Sequence, residues 1–378
     1  MTTAKGSALS DYTRVSLRIA LVALFLYLFL VGIAFIESGI AAMGAGFQAR
    51  LLQSVSNPIS GLCAGLLATV LTQSSSVTTS TIVGMVGAGT LPLTLAVPMI
   101  MGANLGTTVT STLASLGSIR RPAEFRLAFS AATVHDMFNW LGVIILLPLE
   151  IATGFLGKTA LWLANTIRGA EIEAGAPSPS VIRTAVKYPV DLIAGVVPEN
   201  AFMSVLLLGI GLALLFVALA MITRTMRRLV AASVERVMNR IIGRGGGAIG
   251  ILVGLGVTVA VQSSSITTSI LVPLVASGIL SLRNAFPITV GANIGTTVTA
   301  LIASLAVLLP EGLAIALVHT LFNTITMIII FGIPPLRQLP VRMAEGLANL
   351  AMKRRSVIVI YGAGFFIVLP LLGILLIR

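Results

Sequence analysis

Four long apolar runs without a Lys, Arg, Asp or Glu residue restrict the folds that this chain can adopt. They lie at about 19–36, 203–223, 312–336 and 357–377. As a helix, each run is long enough to cross a hydrocarbon core about 30 Å thick. Only 10% of the 378 residues are charged, whereas soluble domains are roughly one quarter charged. The sequence therefore predicts an all-α polytopic membrane protein.

The formal net charge of +12 indicates membrane orientation rather than nucleic-acid binding, because basic residues collect on the cytoplasmic flanks of membrane helices. The single cysteine, Cys63, lies in an apolar stretch. It excludes an intrachain disulfide and offers no metal site. No Asn-x-Ser/Thr acceptor occurs. We expect a multi-pass protein that is embedded in the lipid bilayer of a bacterial-type inner membrane.

The chain contains an internal repeat. Residues 73–116 align without gaps on 262–305 at an offset of 189, and 25 of the 44 pairs are identical. Further along, the offset becomes 184, where HDMFN at 135–139 aligns with HTLFN at 319–323. The chain is therefore predicted to contain two repeat units and a linker between them: 19–150, 203–336 and 151–202.

Basic residues change sides between the two units. The segment 224–248 carries six arginines and one glutamate, whereas its counterpart 37–57 carries Glu37 and Arg50. The segment 337–356 carries five basic residues, whereas its counterpart 151–200 is mixed and nearly neutral. Since basic flanks mark the cytoplasmic side, we expect the two units to be inverted structural repeats.

One topology accommodates this charge pattern, with the N-terminus in the cytoplasm. Each unit then contains a re-entrant hairpin, at 58–90 and 249–280, and 18 of the 24 Lys and Arg residues lie inside. The other segments are a cytoplasmic N-terminus, an external linker, a cytoplasmic basic linker and one extra C-terminal transmembrane helix: 1–18, 151–202, 337–356 and 357–378.

Polar motifs interrupt the apolar segments at matching places in both units. Residues 71–80 read LTQSSSVTTS and 260–269 read AVQSSSITTS; GANLGTTVTS follows at 102–111 and GANIGTTVTA at 291–300. Inverted repeats with paired interruptions are typical of secondary transporters, whose binding site lies near the middle of the membrane. We predict four helix breaks that converge on one cavity.

The chemistry of these motifs limits what the cavity holds. Hydroxyls, amides and helix N-termini donate hydrogen bonds to an oxyanion, whereas hydroxyl and carbonyl oxygens suit sodium. No Arg or Lys occurs between 59 and 119. A phosphate held by neutral donors would therefore depend on the charge of co-bound sodium, which is a basis for coupled transport.

Two other interpretations of the QSSS and GANxGTT residues are a packing role and a hydrolase site. Ser, Thr and Gly also allow helices to approach closely and to hydrogen-bond across an interface, but the fourfold occurrence in register favours a binding site. A serine hydrolase is less favoured, because no G-x-S-x-G surrounds these serines.

Asp136 lies within a predicted membrane crossing, where an ionisable residue is a functional candidate. The matching residue of the second unit is Thr320, so the site is asymmetric by one potential charge. The alternative is a carboxylate that pairs with its neighbour His135 or with local backbone. Four residues of the H-x-x-F-N motifs are expected to support the site by hydrogen bonding rather than by proton transfer: His135, Asn139, His319 and Asn323.

These motifs closely resemble those of the type II sodium-dependent phosphate cotransporter family, in which a doubled QSSS is the most distinctive feature. The resemblance implies secondary active uptake of inorganic phosphate with sodium as the coupling ion and no other cofactor. It implies phosphate contacts from Gln73, Ser74, Ser75, Ser76, Gln262, Ser263, Ser264, Ser265, Asn104 and Asn293. The sodium ligands expected from it are Ser75, Thr78, Thr79, Thr107, Asp136, Ser264, Thr267, Thr268 and Thr296.

The resemblance also implies a mechanism. In animal members, an aspartate after the histidine of the first H-x-x-F-N motif separates electrogenic from electroneutral transporters. Asp136 therefore implies an electrogenic symporter, and the inverted repeats with paired interruptions indicate alternating access. The animal proteins carry a larger disulfide-bonded and glycosylated loop than the segment 151–200. An anion channel, or transport of another oxyanion such as arsenate or sulfate, stays open as an alternative, as does the oligomeric state.

Overall fold

The computed structural model describes residues 3–43, 57–173, 181–194, 201–241, 247–307 and 309–376. Within these ranges the chain forms helices joined by turns, with no strand. In chain order the helices are α1 (Thr3–Ala42), α2 (Pro58–Thr72), α3 (Ser75–Gly87), α4 (Leu93–Gly106), α5 (Val109–Ser115), α6 (Pro122–Thr153), α7 (Phe155–Glu173), α8 (Val181–Ala194), α9 (Ala201–Ile241), α10 (Ala248–Val261), α11 (Ser264–Ala276), α12 (Leu282–Ala303), α13 (Pro310–Gly332), α14 (Pro334–Arg337), α15 (Leu339–Lys353) and α16 (Ser356–Leu376).

Seven stretches in the described part of the chain are long and apolar enough to cross a membrane: Val15–Ala42, Leu93–Ser118, Pro122–Thr153, Phe202–Leu229, Leu282–Ala306, Pro310–Gly332 and Ser356–Leu376. Four of them coincide with the apolar runs predicted from the sequence, and together the seven confirm an all-α multi-pass membrane protein. The predicted hairpins consist of α2 with α3 and of α10 with α11. These helices have only 13 to 15 residues each, too few for a full crossing.

Glycines let the first helix of each hairpin pack backbone to backbone against the following long helix, α2 on α4 and α10 on α12. A Cβ on Gly65 or on Gly102 would lie 1.9 Å from a carbonyl oxygen of the facing helix. The same distance of 1.9 Å applies to Gly254 and to Gly291 in the second unit. No side chain fits at such a distance, so these four glycines of the repeat fix two equivalent helix crossings.

The two units also pack against each other. The long helices α1 and α9 approach closely at glycines: a Cβ on Gly32 would lie 2.9 Å from the carbonyl oxygen of Gly211. The second helix of each hairpin packs against the H-x-x-F-N helix of the other unit, α3 on α13 and α11 on α6. These contacts place each QSSS motif near residues of the opposite half.

The predicted break at 291–300 is wrong, because α12 continues through GANIGTT from Leu282 to Ala303. In the first unit, by contrast, α4 ends at Gly106 and α5 begins at Val109. The threonines at the matching place differ in their partners. Thr297 donates to the Ile294 carbonyl of its own helix at 2.8 Å, whereas Thr108 also contacts Asp136. A partner outside the helix thus accompanies the break.

The connecting segments contain helices of their own. The linker 151–202 includes α7, which packs against α13, and α8, which packs against α1. The basic segment 337–356 is mostly α15, which packs against α6. Residues 174–180 and 195–200 of the linker, and the predicted flanking residues Arg50 and Arg244, lie outside the described residues.

Candidate functional site

Each QSSS motif breaks its hairpin at a corner, Gln73–Ser74 in the first unit and Gln262–Ser263 in the second. The glutamines are left-handed, with φ of 55° and 58°, and no other non-glycine residue in the described chain has a positive φ. This conformation costs on the order of 1–3 kcal/mol in a non-glycine residue, and such residues cluster at functional sites. Ser74 and Ser263 then cap the next helix, each by accepting a hydrogen bond from the backbone N–H three residues on.

The glutamine side chains hold these corners in place. Gln73 Oε1 accepts a hydrogen bond from Thr110 at 3.2 Å, and Gln262 Oε1 accepts one from Thr299 at 3.1 Å. Both amide nitrogens donate to the carbonyl three residues earlier. Each glutamine thus joins its own corner to the crossing that follows the hairpin, at α5 in the first unit and at α12 in the second.

Buried hydroxyls follow each corner on the first turns of α3 and α11. Those less than 10% exposed are Ser75, Ser76, Thr78, Thr79, Ser264, Thr267 and Thr268. Ser74, Ser263 and Ser265 are partly exposed. The first backbone N–H groups of a helix lack partners within it and attract anions. The two helix starts therefore present N–H groups and hydroxyl groups together.

Other predicted sodium ligands lie deep in the long helices. Thr107 and Thr296 are buried, and each donates to a carbonyl of its own helix at 3.1 Å. Thr267 shares a hydrogen bond of 2.9 Å with Thr258. Their oxygen lone pairs stay available, because a donating hydroxyl still accepts.

A network of buried amides joins the two units. Asn293 Nδ2 donates to the side-chain oxygens of Asn139 at 2.8 Å and Asn323 at 3.2 Å. Asn139 Nδ2 donates to the Asn104 carbonyl at 3.0 Å, and Asn323 Nδ2 donates to the Asn293 carbonyl at 3.1 Å. His319 Nε2 lies 3.2 Å from Asn104 Oδ1. All five side chains are at most 2% exposed, so the GAN and H-x-x-F-N motifs of both halves meet in the core.

A second contact between units involves the QSSS segment itself. Thr268, one turn into α11, shares a hydrogen bond of 3.1 Å with Ser111 of α5. His135 lies beside Asn293, but its Nε2 makes no hydrogen bond to any described residue. The two histidines therefore correspond, since His319 lies beside the equivalent Asn104 and its Nδ1 likewise makes no hydrogen bond to a described residue.

Asp136 is fully buried and accepts hydrogen bonds from the hydroxyls of Thr108 and Tyr361. No ion pair involves Asp136 within the described chain. The alternative in which it pairs with His135 is not seen. Tyr361 belongs to α16, the helix outside the repeat, and was missed from the sequence. The only available signal was that it is the single tyrosine of the last apolar run.

A cavity of about 490 Å³ opens between α5, α9 and α11. Its lining contains three hydroxyls, one arginine and four apolar side chains: Thr110, Ser265, Ser269, Arg227, Ile266, Ile270, Pro273 and Leu274. Ser265 belongs to the second QSSS motif, and Thr110 donates to Gln73 of the first. The cavity therefore adjoins the second QSSS motif directly and the first corner through Thr110. The sequence pattern indicated only an orientation role for Arg227.

The matching surface of the first unit is covered. At the offset of 189, the counterparts of the three lining hydroxyls are Thr299, Ser76 and Ser80, which are 3%, 9% and 0% exposed. Helix α1 packs across α3 there, and a Cβ on Gly84 would lie 3.5 Å from Ile33 Cγ2. The second helix of one hairpin is thus accessible at this face, and the equivalent face of its counterpart is covered.

A family model described as Na+/Pi-cotransporter matches residues 28–165 and 214–363. The chain belongs to this family. It is 33% identical to sodium-dependent phosphate transport protein 2A of Ovis aries, over 94% of the chain and 67% of that relative. It is 32% identical to protein 2B of Homo sapiens, over 97% of the chain and 66% of that relative.

The chain spans about two thirds of the length of these relatives. No solved structure matches it significantly. The two matched ranges each contain one QSSS corner and one H-x-x-F-N motif. Family membership makes the chain a membrane transporter rather than an enzyme.

Proposed function

We propose that this protein couples inward movement of sodium to the uptake of inorganic phosphate. The family and the names of its relatives support this function. The structural observation that carries it is the pair of strained QSSS corners, each followed by a helix start with buried hydroxyls. Neutral donors at two helix N-termini suit an oxyanion, and hydroxyl oxygens suit sodium.

The phosphate ligands proposed are the QSSS residues and the two GAN asparagines: Gln73, Ser74, Ser75, Ser76, Gln262, Ser263, Ser264, Ser265, Asn104 and Asn293. For sodium we propose Ser75, Thr78, Thr79, Thr107, Asp136, Ser264, Thr267, Thr268 and Thr296. No three His, Cys, Asp or Glu side chains cluster in the described chain. Sodium would therefore be held mainly by hydroxyl and carbonyl oxygens, with Asp136 as the one carboxylate.

We infer that transport proceeds by alternating access between inverted repeats. The open cavity beside Ser265 and the closed surface beside Ser76 support a conformation that is accessible from one side. The arginine-rich end of α9 favours the cytoplasm for that side. The N-terminus would then also be cytoplasmic, in the inner cell membrane.

Asp136 supports an electrogenic cycle. A fully buried carboxylate with two hydroxyl donors and no cationic partner in the described chain suits an additional bound cation. Because the matching residue is Thr320, this site would exist in the first unit alone.

Uptake of labelled phosphate into proteoliposomes tests the function. We expect accumulation with an inward sodium gradient and none with potassium. The Ser75→Ala plus Ser264→Ala variant should lose roughly 100-fold or more of its uptake at low phosphate, since a hydrogen bond to a charged group contributes about 1.5–3 kcal/mol. Ser277→Ala, at an exposed helix end, is the matched control. Equal phosphate flux in sodium and potassium, without accumulation, would instead indicate an anion channel.

A further inference from the structure

We propose that Arg227 forms a second, outer phosphate subsite, together with the hydroxyls of Thr110, Ser265 and Ser269. Phosphate would occupy this subsite at the mouth of the open cavity, as it leaves or enters the deeper site at the QSSS corners. The inference rests on the proposed function and adds a residue from outside the repeated motifs.

Geometry is the first argument. The cavity of about 490 Å³ is large enough for a hydrated phosphate, and Arg227 is its only charged lining residue among those described. The three hydroxyls lie on α5 and α11, so the anion would be contacted from three helices. Ser265 belongs to the QSSS motif itself, which makes the outer subsite continuous with the inner one.

The Arg227 guanidinium makes no ion pair with another described residue. Arginine binds phosphate through paired N–H donors, and a basic group at the mouth of a cleft raises the local concentration of anions. The inner site, by contrast, is lined by neutral groups. The positive charge of Arg227 at the mouth of the cavity therefore complements the neutral donors of the inner site.

Asymmetry is the third argument. At the same offset of 189, the residue matching Arg227 is Ser38, and the matching surface is closed. The outer subsite would therefore exist on one side of the membrane. Phosphate on that side, proposed to be the cytoplasmic one, would bind more readily than phosphate on the other, and it would slow net uptake as it accumulates.

The neighbouring Arg228 provides a matched control. It lies on the same helix and is also exposed, but it does not line the cavity. Its backbone carbonyl accepts a hydrogen bond from Arg18 at 3.3 Å. Substitution of either arginine removes one positive charge from the same region, so only a local role distinguishes the two.

The experiment measures sodium-dependent phosphate exchange in proteoliposomes of known orientation, with phosphate varied on each side in turn. For Arg227→Gln we expect the half-saturating phosphate concentration on the Arg227 side to rise about three- to tenfold, an effect reduced by exposure to solvent. The half-saturating phosphate concentration on the opposite side of the membrane should not change. Arg227→Lys should restore part of the affinity, and Arg228→Gln should behave as wild type.

Salt gives an independent measurement. The difference between wild type and Arg227→Gln should shrink as ionic strength rises from about 0.05 M to about 0.5 M, because an exposed charge is screened. The inference is overturned if Arg227→Gln and Arg228→Gln behave alike. It is also overturned if Arg227→Gln changes only the amount of anionic lipid that co-purifies, which would assign the arginine to a lipid headgroup. Absence of sodium-dependent exchange in the wild type would instead contradict the proposed function.

Discussion

The two QSSS hairpins have the same backbone and different surroundings. Both turn at a left-handed glutamine that accepts a hydrogen bond from a threonine of the crossing after the hairpin, Thr110 of α5 or Thr299 of α12. Yet Ser80 of the first hairpin is fully buried, whereas Ser269 of the second lines a cavity. The repeated sequence determines the corner, and the helices packed around each hairpin determine at which hairpin the second helix is accessible. A transporter needs this combination, because one site has to be exposed to one side at a time.

The halves differ also in charge. Asp136 in the first unit accepts hydrogen bonds from Thr108 and Tyr361, whereas Thr320 at the matching position donates to its own helix at 3.2 Å. The additional partner comes from α16, the helix predicted to lie outside the two repeat units. The difference in charge between the halves therefore coincides with a contact from that helix.

The largest expected effect concerns the feature that the halves share. Gly65→Ala and Gly254→Ala should each destabilise the protein by on the order of 3 kcal/mol or more, because a Cβ would overlap a carbonyl oxygen and overpacking costs about 1–3 kcal/mol even without a backbone clash. Thermal unfolding in detergent measures this. Gly256→Ala is the control, because Gly256 lies on α10 with Gly254 and nothing lies within 4 Å of its Cβ. If one of the first two variants is tolerated, the two crossings are not equivalent.

The next effect concerns the charge that the halves do not share. Asp136→Gly should abolish or reduce the inward current evoked by phosphate while sodium-dependent uptake continues, because the variant loses the carboxylate proposed for the additional sodium. Currents on solid-supported membranes, recorded beside tracer uptake, measure this. The exposed Asp191→Gly is the control. An unchanged ratio of current to uptake would remove Asp136 from the coupling site.

A smaller effect is expected from a change in α16, at Tyr361. Tyr361→Phe removes one donor from the Asp136 carboxylate, and a hydrogen bond to a charged group contributes about 1.5–3 kcal/mol. We expect lower thermal stability without sodium and a larger stabilisation when sodium is added, since sodium then replaces the missing donor. Tyr188→Phe, at an exposed position, should change neither. Equal stability of Tyr361→Phe and wild type without sodium would contradict the role given to this hydroxyl.

The sequence predicted what local chemistry decides. Apolar runs gave the membrane crossings, and the polar QSSS stretches marked both corners, because a glutamine and three serines in an apolar segment interrupt the helix. The break expected at GANIGTT was wrong, since the same residues stay helical when Thr297 finds its partner within α12. Arg227 and Tyr361 were missed because they lie outside the repeated motifs, and only the packing of α9 and α16 brings them to the site.

Cysteine accessibility shows whether the equivalent helices α3 and α11 of the two hairpins are exposed in turn. In a Cys63→Ser background, Ser269→Cys and Ser80→Cys would be treated with a membrane-impermeant thiol reagent from each side. The account predicts that without sodium the Ser269→Cys variant reacts from the Arg227 side and the Ser80→Cys variant does not react. During transport in sodium and phosphate, the Ser80→Cys variant should react from the opposite side. Reaction of both variants from the same side would contradict it.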